Sequence, residues 1–415
     1  MDNNLLFEAA LSIGKPWYID RVEFNIAKKR LDIFIDFERG AKFSSEEKGY
    51  DDQYGVYDTE QKTWRHLNFF EHECYLHCRT PRIQLDKNTI RLVSPPWAGV
   101  NKGFTLLFEA LLLQLCKQMP IKVVSRMIKE TDQKIWRVLQ KYVDLTRELS
   151  DYSQVTKVGM DETSRAKGHD YITLFVDLDE KKTLFVADGK SHETVDRFEQ
   201  DLWEHNGSAE NITDISCDMS PAFIKGVREN FPQAEITFDK FHIIKIINEA
   251  VDKVRKMEVK NEPLLKGAKY LFLKNELNLT NRQVEQLSQI KLSGTHLKSL
   301  RALQIRESFQ DIYQAPTEAS FVFLLKKWYF WATHSRLEPM KAAAKTIKSH
   351  WDGVVAWKRS QINNGILEGL NSIVQNARNR AKGFRNPRYY KTIVYLTTGK
   401  LDFQVMNPCV GTFSG

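Results

Sequence analysis

Cysteine is scarce in this chain and follows no pattern. The five copies, Cys74, Cys78, Cys116, Cys217 and Cys409, are odd in number and irregularly spaced over 415 residues. A disulfide framework is therefore not the organising principle, and a reduced, intracellular compartment is expected. Long apolar runs are also missing. The richest, TLLFEALLLQLC, is broken by Glu109 and Gln114 and is too short to span a bilayer. The opening MDNNLLFEAA has no basic region followed by an apolar core, so it does not read as a secretory signal. These absences predict a soluble cytoplasmic protein with no membrane partner. What is present is ordinary for a globular protein: 42% hydrophobic and 27% charged residues, on a length that holds about two to four domains. The net charge of +8 and pI near 9.0 favour a polyanionic partner, most often nucleic acid, although many basic proteins bind none.

Residues 1–98 read as a β-rich region. WYIDRVEFNI and RLDIFIDFE alternate apolar and polar residues as half-buried strands do, and Pro95-Pro96 closes the region. Within it, HECYLHC offers His72, Cys74, His77 and Cys78 as half of a zinc site. No second pair lies nearby, and Cys74 and Cys78 sit an even number apart, hence on one face of a strand. Residues 99–150 read as three helices, FTLLFEALLLQLCKQM, IKVVSRMIKE and DQKIWRVLQKYVD, the plan of a helix-turn-helix or of a small helical bundle. The third helix turns Ile135, Val138, Leu139 and Val143 inward. Lys134, Arg137, Gln140 and Lys141 face outward, where a recognition helix needs groups for phosphates and base edges.

Residues 151–257 carry the most legible pattern, βββαβαβα. Strands VTKVGMDE, YITLFVDLD and TLFVADG have hairpin spacing. Ser191 is expected to cap a helix, strand ITDISCDM follows, Ser220-Pro221 starts another helix, and strand AEITFD leads into a long third one. Residues 258–348 are helical and charged. Residues 349–401 hold NNGILEGLNS and the basic run NARNRAKGFRNPRYYKT, and residues 402–415 read as a tail. The expected class is mixed, α+β or α/β.

Three carboxylates stand out. Asp161 lies in the first strand of that pattern, Asp218 at the end of the fourth, and Glu368 on a helix beyond the helical block. Phosphoryl transfer on DNA needs divalent metal, and Mg²⁺ takes hard oxygen ligands, so a few carboxylates suffice. The bland alternative is that each is a solvated turn residue. Glu162 competes with Asp161, but adjacent strand residues point to opposite faces. Glu162 shares its face with Val158 and Met160, Asp161 with Lys157 and Gly159. Asp239 and His242 sit where the fifth strand enters its helix. Asp239 there is a helix cap or a site residue, and His242 a phosphate ligand or a group that orients water. Trp328 and Trp331 are at helical spacing, as core residues or as platforms for an unpaired base. Arg378, Arg380, Lys382, Arg385 and Arg388 are dense enough for phosphate contacts, or form a solvated helix end.

Taken together, VGMDETSRAKGHDYITLFVDLD, DISCDMSPAFIKGV, FDKFH and NNGILEGLNSIVQNARNRAKGFRN, with WRHLNFFEHECYLHCRTPR, SPPWA and the helix-turn-helix, resemble the DDE transposases of bacterial insertion sequences, in the ISL-three family. The resemblance runs from about Trp64 to Leu401. It implies a ribonuclease-H-like catalytic domain (βββαβαβ, helical insertion, α). A small β-rich, zinc-ribbon-like region and the helix-turn-helix precede it. On that resemblance Asp161, Asp218 and Glu368 are the catalytic, metal-holding triad. Asp239 and His242 match a D-x-x-H signature, and Asn371 an E-x-x-N pattern. The implied cofactor is Mg²⁺, with Mn²⁺ able to substitute. The implied partners are double-stranded DNA, both terminal inverted repeats and target, and a second copy or more in a synaptic complex at the nucleoid. Where family members commonly carry two zinc-binding Cys pairs, this chain has AKFSSEEKGY and IQLDKNT, so zinc is not expected. The rival functions are a transposase-derived DNA-binding protein without catalysis and a nuclease with no joining step.

Overall fold

The computed structural model describes residues 3–45, 47, 49–166, 170–293, 297–362 and 365–413; Asn363 and Asn364 of the last carboxylate motif, and 167–169 beyond the first, lie outside them. The chain forms two compact units, one of residues 1–150 with 376–415 and one of residues 151–375.

The first unit opens with helix α1 (Asn3–Leu11) and strands β1 (Trp17–Asn25), β2 (Arg30–Phe37), β3 (Lys42–Ser44), β4 (Gln53–Phe69), β5 (His72–Gln84) and β6 (Ile90–Leu92). They make one sheet in the order β1-β2-β5-β4-β3, with β6 on β5. Alternation in β2 puts Leu31, Ile33, Ile35 and Phe37 on the buried face. Cys74 and Cys78 of β5 belong to the same core, and burial pushes both thiols up to about 12. His77 points the other way, 2.6 Å from Asp32 and stacked on Phe34. The strand's period of two thus sets His77 on the face opposite Cys74 and Cys78, while His72 lies against Phe24. Two elements exceed the β-rich reading of this region: α1, and β4 with its 17 residues, whose charged middle hides the alternation.

Helices α2 (Leu106–Gln118), α3 (Ile121–Ile128) and α4 (Asp132–Glu148) follow. Thr105 caps α2 by accepting from the Phe108 amide. Lys129, in the left-handed conformation at φ 56°, ends α3 and makes the tight turn into α4. Ile135, Val138, Leu139 and Val143 are buried, as their spacing predicts.

The second unit begins with β7 (Lys157–Ala166), β8 (Asp170–Asp177), β9 (Lys182–Asp188), α5 (Glu193–Glu204), β10 (Asp214–Cys217), α6 (Pro221–Asn230), β11 (Glu235–Phe238) and α7 (Lys240–Glu258). The sheet order is β11-β10-β7-β8-β9. β7–β8–β9 is antiparallel, while β10 and β11 add parallel to β7 through helical crossovers. His192, not Ser191, takes the N-cap place of α5, without a side-chain cap bond. Ser191 instead lends its carbonyl to the Thr194 amide. Helices α8 (Lys269–Leu273), α9 (Asn281–Ser293), α10 (Lys298–Ile312), α11 (Glu318–His334) and α12 (Glu338–Ser349) form the helical block, followed by α13 (Trp351–Ser360) and α14 (Gly365–Arg380). Val158 and Met160 of β7, Phe198 of α5 and Phe223 of α6 share one core with the helical block. At Gly353 of α13 a methyl would lie 2.4 Å from the Phe238 ring, so the helix rides directly on β11.

The chain re-enters the first unit at Asn376. Helix α15 (Pro387–Thr398) packs on α4. Trp136 and Tyr389 stack there with centroids 4.0 Å apart, and Arg388 pairs with Asp144 at 2.7 Å. The stretch expected as a tail carries short helical turns in which Phe403, Asn407 and Val410 are buried.

Candidate active site and nucleic-acid interface

The parallel register builds the acidic site. β10 pairs with β7 through Ser216↔Gly159, and with β11 through Cys217↔Phe238. Continued by one or two residues, it sets Asp161, midway along β7, beside Asp218 and Asp239, which lie just past the C-terminal ends of β10 and β11. Each carboxylate is tethered through Oδ1 to a backbone N–H just downstream: Glu162 N at 2.8 Å, Ser220 N at 2.9 Å and Phe241 N at 2.8 Å. Asp239 thereby caps α7, and its Oδ2 remains turned to the site. His242, one turn into α7, stands between two of them, Nδ1 3.9 Å from Asp218 Oδ2 and Nε2 3.9 Å from Asp239 Oδ2.

Burial pushes the Asp161 carboxyl up to about 6. His242 and the Glu162 amide oppose this, and Asp218 and Asp239 add to it by like-charge repulsion. Asp218 is raised too, first by burial; the Ser220 amide, His242 and Lys190 oppose the shift, and Glu162 adds to it. Glu162 lies on the opposite face of β7 and pairs with Lys190 at 3.2 Å. It nevertheless acts on Asp218 through space.

Helix α14 supplies the other wall. Asn371 Nδ2 donates to Asp161 Oδ2 at 2.6 Å, while Asn371 Oδ1 is buried without a partner among the described residues. Glu368 is exposed, one turn before Asn371. Among the described residues no three His, Cys, Asp or Glu side chains close around a single ion position. The donor set still suits a hard divalent cation. Neighbouring carboxylates are partly buried with each Oδ1 anchored, and the orphaned Asn371 oxygen adjoins them. Asp161, Asp218, Asn371 and, by one helical turn, Glu368 are the residues that could hold it.

Sequence reasoning left three features unseen. Gln375 donates to Thr163 Oγ1 and, at 3.0 Å, to the Ser164 carbonyl. Leu367 lies over Gly159, where a methyl would fall 2.9 Å from its Cδ1. Lys190 stands beside Glu162. The first two depend on how a helix meshes with a strand distant in sequence, for which the sequence holds no local signal.

On α4 of the other unit, Lys134, Arg137 and Lys141 are exposed and Gln140 is half-buried. Lys134 pairs with Glu130 at 2.8 Å, and Lys141 Nζ donates to the Val100 carbonyl at 2.6 Å. In the basic run, Arg380 donates to the Gln118 carbonyl, while Lys382 and Arg385 are exposed and Arg378 is half-buried. In the helical block, Trp328 is core, its indole bonded to the Ile305 carbonyl at 2.8 Å. Trp331 is 39% exposed on the same helix as exposed Phe323 and Phe330. No helix among the described residues is long and apolar enough to cross a membrane, and all five cysteines are free.

Residues 158–394 match a family described as transposase, of the DDE type and family ISL3. Residues 93–143 match the helix-turn-helix domain of transposase family ISL3. The chain is 26% identical over 344 residues to the transposase for insertion sequence element IS1001 of Bordetella parapertussis, covering 81% of this chain and 84% of that protein. It is 25% identical over 438 residues to the transposase for IS1557 of Mycobacterium tuberculosis, covering 96% of each.

Proposed function

The chain belongs to the ISL3 family of DDE transposases, and from that premise we propose that it binds the terminal inverted repeats of an insertion sequence and catalyses metal-dependent DNA cleavage and strand transfer. The second unit is read as a ribonuclease-H-like catalytic domain interrupted by the helical block. The N-terminal sheet stands in place of the family's zinc ribbon, built on an apolar core. The observation that carries the catalytic reading is the pair of neighbouring carboxylates, Asp161 within β7 and Asp218 just past β10, with α14 bonded to Asp161 through Asn371. Asp161, Asp218 and Glu368 are the proposed catalytic ligands, with Asp239, His242 and Asn371 in support. Bound Mg²⁺, or Mn²⁺ in its place, supplies activation of the attacking hydroxyl and neutralises charge on the leaving oxygen.

The chain's own groups do the rest. The backbone tethers on Oδ1 fix each carboxylate before substrate arrives, so little reorganisation remains at reaction. His242 is placed to orient a water or a phosphate oxygen beside Asp218. Lys134, Arg137, Gln140 and Lys141 of the recognition helix contact the end DNA, with Arg378, Arg380, Lys382 and Arg385 on phosphates and Trp331 against an unpaired base. Joining two ends to a target calls for at least a dimer at work.

The test is a cleavage and strand-transfer assay on end DNA in Mg²⁺. Asp161→Asn, Asp218→Asn and Glu368→Gln are expected to fall to background while end binding persists. Wild-type rates in Asp218→Asn overturn the assignment. The absence of three closely grouped ligands among the described residues favours one rival, a transposase-derived DNA-binding protein. Repeat-specific binding by the wild type with no cleavage establishes that rival.

A further inference from the structure

Helix α14 and strand β7 run in the same direction and touch at three successive points. Leu367 lies over Gly159, Asn371 bonds to Asp161, and Gln375 bonds to Thr163 and Ser164. On the helix the contacts recur every four residues, on the strand every two. Four helical residues advance about 6.0 Å and two strand residues about 6.6 Å. The two repeats therefore mesh for three contacts with a drift of roughly 1 Å. The lower contact is apolar and unspecific in height, since a leucine over a glycine can slide. The upper contact is directional. The Gln375 amide donates to the hydroxyl of Thr163, a residue only 6% exposed, and to the next carbonyl.

We propose that Gln375 is a positioning residue for the reaction. Its hydrogen bonds to Thr163 and Ser164 fix the height of α14 along β7, and so set Glu368 and Asn371 against Asp161. Gln375 acts on Glu368 from two helical turns away, through the rigid helix. A four-residue helical span transmits a shift at Gln375 to Asn371, and three residues more to Glu368. A displacement near 1 Å at a catalytic group costs about 100-fold in rate. The inference rests on the catalytic reading above.

The experiment uses the full chain with end DNA. It measures single-turnover cleavage, the Mg²⁺ concentration for half-maximal rate, end-DNA Kd and melting temperature. Gln375→Leu keeps the bulk and removes the donors. The expected result is a rate loss of about 10- to 100-fold with a raised Mg²⁺ requirement and an unchanged Kd. Thr163→Val removes one acceptor and should lose less, Thr163→Ser should recover that loss, and Gln375→Leu/Thr163→Val should be no worse than Gln375→Leu. Wild-type rate and Mg²⁺ dependence in Gln375→Leu overturn the proposal and leave the catalytic reading intact. A rate loss that matches a fall in melting temperature, with the Mg²⁺ requirement unmoved, also overturns it by making the residue merely structural. A wild-type chain that binds ends and does not cut overturns the catalytic reading and the proposal with it.

Discussion

Gly159→Ala adds one methyl under the foot of α14. That carbon would lie 2.7 Å from Leu178 Cδ2 and 2.9 Å from Leu367 Cδ1, against an optimum near 3.5–4.0 Å. Both neighbours must retreat by about 1 Å. Leu178 sits in the turn after β8 and Leu367 in the first turn of α14. Overpacking of this kind costs about 1–3 kcal/mol. At roughly 2–4 °C per kcal/mol for a unit of this size, thermal melting should fall by about 2–12 °C. Leu367→Ala alone leaves a cavity worth about 2–5 kcal/mol. The double variant lets the new methyl occupy part of that cavity. It should therefore cost less than the two single changes together, with Leu178 still displaced. Cleavage of end DNA should drop more than melting predicts, because the displaced helix carries Glu368 and Asn371. A Gly159→Ala protein that melts and cuts like wild type refutes the seating of α14 on β7.

Two further outcomes are accessible. Glu109 is fully buried; it accepts from the Val100 and Asn101 amides and from the Tyr142 hydroxyl, yet burial pushes its carboxyl from 4.5 up to about 7. A raised folded-state value favours the protonated, folded form at low pH. This contribution is complete below about 4.5 and is lost as pH rises through about 7, an effect of about 3 kcal/mol in full. Thermal melts at pH 5 and pH 8 should show wild type losing more stability than Glu109→Gln over that interval; parallel losses contradict the assignment. Arg137→Ala should weaken end-DNA binding and lower the salt slope of binding by about 0.9 if it meets one phosphate. An unchanged slope in salt titrations removes Arg137 from the phosphate contacts.

Local periodicity made much of this fold readable. Val158 and Met160 alternate with Gly159 and Asp161, and that placed Asp161 on the face of β7 that α14 covers. The even spacing of Cys74 and Cys78 placed both in the core. The 3.6-residue repeat of α4 picked out four of its buried residues, Ile135, Val138, Leu139 and Val143. Features that depend on distant partners stayed hidden. Nothing near Gln375 says that its neighbours are Thr163 and Ser164. Nothing in LDFQVMNPCV announces that Asn407 will bond to Tyr142. Arg388 reads as a free cation in a basic run, but it pairs with Asp144 across two helices. The row of aspartates lay between these cases. The strand order was legible, but the level alignment of Asp239 with Asp161 and Asp218 needed the register.

The buried Tyr142 hydroxyl accepts from Asn407 Nδ2 at 2.9 Å, and the same amide group reaches the Leu106 carbonyl at 2.8 Å. Trp136 of α4 is likewise covered by Tyr389. These partners follow residues 151–375 in the chain and so are synthesised after them. During synthesis α4 therefore emerges early but waits, with an aromatic flank and a buried-to-be hydroxyl still wet, for Tyr389 and Asn407. A nascent chain cut short after residue 375 would carry all of the acidic site's residues and an unfinished DNA-binding unit.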